Sequence, residues 1–220
     1  MLPLGLPARP PTFHLTADTR TPLTETTQRQ TLSVHDLDGA DRSWVVESAV
    51  AKISIFNSQN LTLHLRGRIL TSTVEAFKCR NIRLIIGRSD QDNSADEVQP
   101  LGTLQLDPPL ENVTIEYAAP QHVGKMILAP LATRDGAGRP TFGFSSLSVR
   151  ANTTDAPTIL FDGDGVLHFP TPAAGERAVT IAPGVGGLDM ARQLVVSHNE
   201  EQGWRITGLE RGEKDYPVMA

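Results

Sequence analysis

The chain has 220 residues, 39% of them apolar and 20% charged, which is enough to bury a sizeable core in one main domain with a small extension. Its longest apolar runs fall far short of the roughly 20 residues of a membrane span, so no membrane partner is expected. The formal charge of −5 argues against a nucleic-acid binder, and the single cysteine, Cys79, excludes an intramolecular disulfide and fits a reducing compartment.

The first seven residues, M-L-P-L-G-L-P, lack the charged start and continuous apolar stretch of a secretory signal, so a cytoplasmic location is expected. Residues 1–30 read as an extended lead-in. Pro3 to Pro11 is Pro-rich, and Thr12 to Arg29 is Thr-rich without a helical stripe. Alternation typical of strands then appears in Thr31 to His35 and in Trp44 to Val50, separated by the turn-like D-L-D-G-A-D of Asp36 to Asp41.

A repeat follows. Ile53 to Gly67 and Val74 to Arg88 align when Asn60 is set over Asn81. Ile53 then falls over Val74, Ile55 over Ala76, Phe56 over Phe77, Leu61 over Ile82, Leu63 over Leu84 and Leu65 over Ile86. A period of roughly 21 residues is that of one coil in a stacked β solenoid. A third coil runs through Leu104, Leu106, Asn112, Val113, Ile115 and Tyr117 with one extra residue before the Asn. The acidic stretch Ser89 to Pro100 interrupts the series and reads as a solvated loop.

Lys125 to Leu131 and Phe142 to Val149 look like further strands, which places a repeat domain over residues 31–150. Residues 151–220 read as a β-rich cap or dimerisation extension, with short strands at Thr158 to Phe161, Val166 to Phe169, Ala178 to Ile181, Gln193 to Ser197 and Trp204 to Thr207. The expected fold is thus all-β, a parallel β-helix (solenoid) with a C-terminal β extension and at most one short helix near Gly187 to Arg192.

The recurring Asn has a physical reason. At the corner of a stacked coil a residue adopts a left-handed conformation, which Asn tolerates better than other non-Gly residues, and stacked Asn side chains bond along the axis. The sequons beginning at Asn60 and Asn112 are then by-products of a corner followed by a strand, and glycosylation at these or at Asn152 is not expected.

Charge is uneven. Trp44 to Arg88 carries Lys52, Arg66, Arg68, Lys78, Arg80, Arg83 and Arg88 against only Glu47 and Glu75, a segment of +5 in a remainder of −10. Either a basic coil face steers an acidic partner, or outward solenoid positions, which must be polar, happen to be Arg. Within this segment Thr62, Arg83 and Thr114 are expected to stack as one outward row, suited to an anion or a partner's carboxylate.

The run from Ser48 to Gly87, with Asn60, Gly67, Ser72, Val74 and Cys79 at the pattern positions, resembles the repeat of the C-terminal domain of cyclase-associated proteins, also found in tubulin-folding cofactor C. The resemblance covers about Trp44 to Tyr117. It implies a right-handed parallel β-helix that recognises a cytoskeletal protein. In the cyclase-associated branch the partner is monomeric actin and the domain is a homodimer. The tubulin-cofactor branch supplies an arginine finger from Gln-x-Arg, a tripeptide this sequence lacks.

One stretch resembles an enzyme motif. Thr158 to Leu167, T-I-L-F-D-G-D-G-V-L, looks like the first motif of haloacid-dehalogenase-type phosphatases, with Asp162 and Asp164 as nucleophile and acid. The favoured reading is a β-hairpin turning at Asp-Gly. The histidines His14, His35, His64, His122, His168 and His198 show no metal-ligand spacing, so neither metal nor cofactor is expected. The preferred function is a non-catalytic binding module for an acidic protein such as actin, through Arg66, Arg68, Lys78, Arg80, Arg83 and Arg88. Alternatives are a β-helix lyase, isomerase or cyclase acting on a small metabolite or sugar, and a structural self-assembly unit.

Overall fold

The computed structural model describes residues 10–24, 29–70, 73–87, 101–128, 133–134, 140–141, 144–154, 157–161, 167–168, 180–181 and 192–210. Regular structure among them is all-β, apart from one 3-10 turn at Pro120–Val123. No helix there is long and apolar enough to cross a membrane. The first strands are β1 (Thr12–His14), β2 (Thr31–His35), β3 (Asp38–Val46), β4 (Lys52–Phe56) and β5 (Gln59–Leu65). Two long strands follow, β6 (Thr73–Ile86) and β7 (Thr103–Tyr117), and then β8 (Lys125–Leu128), β9 (Thr133–Arg134), β10 (Pro140–Thr141) and β11 (Phe144–Ala151). The C-terminal strands are β12 (Ile159–Phe161), β13 (Leu167–His168), β14 (Thr180–Ile181), β15 (Arg192–Asn199) and β16 (Gly203–Glu210).

Two parallel ladders dominate. The first runs β1, β2, β4, the front half of β6, the front half of β7, and β8. The second runs β3, β5, the back half of β6, the back half of β7, and β11. Both belong to one open sheet because β6 and β7 pass from the first ladder into the second. The expected register is the observed one: Ile53 pairs Val74, Ile55 pairs Ala76, Phe56 pairs Phe77, Leu61 pairs Ile82, Leu63 pairs Leu84 and Leu65 pairs Ile86. The third rung also follows, with Leu104 beside Val74 and Ile115 beside Leu84, and the extra residue appears as a register shift between Phe77 and Cys79.

The core is made of inward positions of both ladders. Trp44, Leu63, Leu84, Ile115 and Val149 form one fully covered row, and Leu32, Ile53, Val74, Leu104 and Met126 another. Removing such a side chain from water is worth about 1.5–3 kcal/mol each, so the alternating pattern holds the stack together.

Two features differ from the sequence expectation. The ladder starts before Thr31: β1 adds a strand, Leu15 and Leu23 are buried, and Trp44 Nε1 donates to the Thr19 carbonyl, so residues 12–23 cover one end of the stack. The turn-like Asp36 to Asp41 belongs largely to a strand, β3, which is bulged with Ala40 and Asp41 at positive φ. Gly39 is needed in that bulge, because a Cβ there would lie 2.6 Å from the Asn60 carbonyl oxygen and from Leu61 Cβ. The segment Gly187 to Arg192, where at most one short helix is expected, lies outside the described residues except for Arg192, which begins β15.

At the far end the parallel pattern gives way. β12 lies antiparallel on β11, β15 lies antiparallel on β8, and β15 and β16 form a hairpin. The strands flanking the phosphatase-like motif, β12 and β13, are antiparallel, which matches the hairpin reading; Asp162 and Asp164 lie outside the described residues.

Candidate functional site

The corner between the two ladders is polar and ordered by left-handed residues. Asn60, Asn81 and Asn112 have φ of 55°, 52° and 50°, the region their type tolerates. Their side chains form a chain of hydrogen bonds: Asn112 Nδ2 donates to Asn81 Oδ1 at 2.9 Å, Asn81 Nδ2 to Asn60 Oδ1 at 2.8 Å, and Asn60 Nδ2 to Asp38 Oδ1 at 3.0 Å. Beside it Arg80 donates to Gln59 Oε1 at 2.7 Å, and Gln59 Nε2 to Asp38 Oδ2 at 2.8 Å. Asp38 therefore accepts the end of both chains. The Ala40 backbone N–H, Asn60, Gln59 and the Arg80 charge hold its carboxyl below the usual carboxylate range.

A second left-handed row lies at Asp36, Asn57 and Lys78, where Asn57 Nδ2 donates to Asp36 Oδ1 at 2.6 Å. Next to it His35, Phe56 and Phe77 stack with ring centroids 5.5 and 5.4 Å apart, and the Lys78 ammonium lies 5.3 Å from the Phe77 centroid. Cys79 is buried between the two corners, and burial pushes its thiol up.

The outward face of the second ladder carries the main candidate site. Ser43, Thr62, Arg83, Thr114 and Ser148 form one outward row, and Val45, His64, Ile85, Glu116 and Arg150 the next. The expected stacking of Thr62, Arg83 and Thr114 is thus present. What the sequence did not reveal is the partner of Arg83. Glu116 is only 2% exposed and accepts from Arg83 Nε at 3.0 Å and Nη2 at 2.7 Å, and from Arg150 Nε at 3.0 Å and Nη2 at 2.6 Å. Burial alone would raise the Glu116 carboxyl, but the hydrogen bonds and charges of the two arginines outweigh it and hold it below the usual range. A shallow concavity of about 180 Å³ opens beside this group, lined by Asp41, Thr62, Asn81, Arg83, Asn112 and Thr114.

The basic residues singled out from sequence are not brought to one point. Arg83 faces outward on the second ladder, Arg80 stands at the Asn corner, and Lys78 at the aromatic corner. Arg66 and Arg68 follow the end of β5, with Arg66 3.9 Å from Glu47. Arg88 lies outside the described residues. His64 faces outward as expected; burial, then the charges of Arg66 and Arg83, lower its affinity for a proton. Among the described residues no cluster of His, Cys, Asp and Glu is arranged to hold a metal.

Comparison with protein-family models, with curated proteins and with solved structures returns no match for this chain.

Proposed function

We propose that the two ladders are successive faces of a right-handed parallel β-helix, and that this solenoid is a non-catalytic binding module for an acidic protein. The partner that the sequence resemblance suggests is monomeric actin. The observation that supports the reading best is the 21-residue register itself, carried outward through the hydrogen-bonded Asn60–Asn81 corner. A constant register stacks outward side chains in fixed rows, and fixed rows make a preorganised protein-recognition surface. Along β6 those rows present Lys78, Arg80 and Arg83. The buried carboxylate on this face, Glu116, is occupied by two arginines, which suits recognition better than proton transfer.

Fluorescence titration with monomeric actin tests the reading. Saturable binding that weakens with salt is expected, and the triple variant Lys78→Glu, Arg80→Glu, Arg83→Gln is expected to lose at least about tenfold in affinity with an unchanged circular dichroism spectrum. No binding by the unaltered chain removes actin as the partner. Full affinity in the triple variant removes the basic face.

A further inference from the structure

The outward concavity on β5, β6 and β7 has a feature that a generally basic surface would not need. Arg83 is half-exposed, yet its guanidinium is fixed on two of its three nitrogens by the buried Glu116. Its remaining nitrogen, Nη1, has no hydrogen-bond partner among the described residues. Thr62 and Thr114 are the register partners of Arg83 on the two neighbouring strands, and their hydroxyls too lack partners among the described residues. All three residues line one open concavity.

We propose that Arg83 recognises an acidic side chain of the partner, with one carboxylate oxygen on its Nη1 and the other on the hydroxyl of either Thr62 or Thr114, and with Glu116 as the positioning residue that locks the guanidinium in place. The inference rests on the binding-module reading and names the contact it would use. A guanidinium already immobilised loses little freedom when a carboxylate arrives, so Glu116 assists binding although its charge opposes the ligand. Arg83 and Arg150 are balanced by Glu116 and Asp41, so the second negative charge of a phosphate gains no net attraction here while its desolvation costs more than a carboxylate's.

The test uses the whole chain labelled with nitrogen-15 and titrated with sodium acetate, with sodium chloride at equal ionic strength as the control. Acetate should shift the amide resonances of Thr62, Arg83 and Thr114 saturably, with half-saturation on the order of 10 mM, and phosphate at pH 8 should do so more weakly. The Thr62→Val, Thr114→Val double variant leaves the arginine–glutamate group untouched and should abolish the response. Glu116→Gln, provided its spectrum stays dispersed, should weaken acetate binding at least threefold. Simple electrostatics predicts the opposite, since that change removes a negative charge. Stronger binding by Glu116→Gln overturns the positioning role, and an unaltered response in the threonine double variant overturns the site. Actin binding without any acetate response overturns this inference and leaves the binding module standing; an acetate response without actin binding does the reverse.

Discussion

At the residue scale, Asn81 does two separable things. Its backbone sits at φ 52°, and its side chain both donates to Asn60 and accepts from Asn112. Left-handed geometry costs an ordinary residue about 1–2 kcal/mol, and an exposed hydrogen bond is worth about 0.5–1.5 kcal/mol. Asn81→Ala forfeits both contributions and should destabilise by about 2–3 kcal/mol in urea denaturation, whereas Asn81→Gly keeps the conformational tolerance and should cost less. Equal losses would show that backbone conformation is not what the position selects. The Asn corner was legible in the sequence because conformation and ladder both demand the same residue type at a constant interval. The Glu116–Arg150 pair was not, because Arg150 lies 34 residues beyond Glu116 on a rung whose connection departs from that interval. Alignment of the Asn positions carries the register across the 31-residue step from Asn81 to Asn112, whereas on the last rung the left-handed position is Ser146, which offers no such mark.

At the scale of the element, the β15–β16 hairpin is joined to the stack through β8 and packs on the 3-10 turn. Two histidines lie in this region. His198 on β15 stacks edge-on against Trp204 at 5.3 Å, and Trp204 in turn meets Tyr117 at 5.5 Å. His122 in the turn lies over Gly87, where a Cβ would come within 2.8 Å of its Nδ1. Both Nδ1 atoms are buried without a hydrogen-bond partner, and burial lowers the proton affinity of each ring, with Glu200 opposing the effect at His198. A histidine kept neutral by folding stabilises the fold above its ordinary value of 6.5, and that contribution is lost as pH falls below it and the unfolded chain takes up the proton. The urea midpoint should therefore drop between pH 7.5 and 5.5, and His122→Phe with His198→Phe should reduce the slope to what His64, whose proton affinity burial also lowers, contributes. An identical midpoint at both pH values would contradict the assignment. Asp38 and Glu116, held below the usual carboxylate range, add their acid sensitivity at lower pH, outside this window. The strands of this hairpin were legible from their alternation, but their attachment to β8 was not, since an antiparallel return leaves no repeat to read.

At the scale of the whole molecule, stability is carried by rung-to-rung stacking, with residues 12–23 covering one end and antiparallel strands the other. In such an array each rung contacts only its neighbours, so a connection matters only if it constrains the rungs it joins. The step from Leu65 to Thr73, between β5 and β6, is shorter by about nine residues than the step from Ile86 to Thr103, between β6 and β7. Both steps join the end of one rung to the start of the next in the same register. The shorter one shows how little chain the geometry requires, and loop-closure entropy changes slowly with length, by about 0.6 kcal/mol per doubling. Deleting nine residues from within 89–100 should therefore leave the fold intact, with a thermal midpoint unchanged or slightly raised and the Asn81 and Asn112 side-chain amide resonances preserved. A fall of more than about 5 °C, a shift that corresponds to roughly 1–2 kcal/mol in a domain of this size, would mean that the acidic segment makes contacts that support the stack. Retention of the midpoint would show that the acidic segment supplies nothing the stack requires.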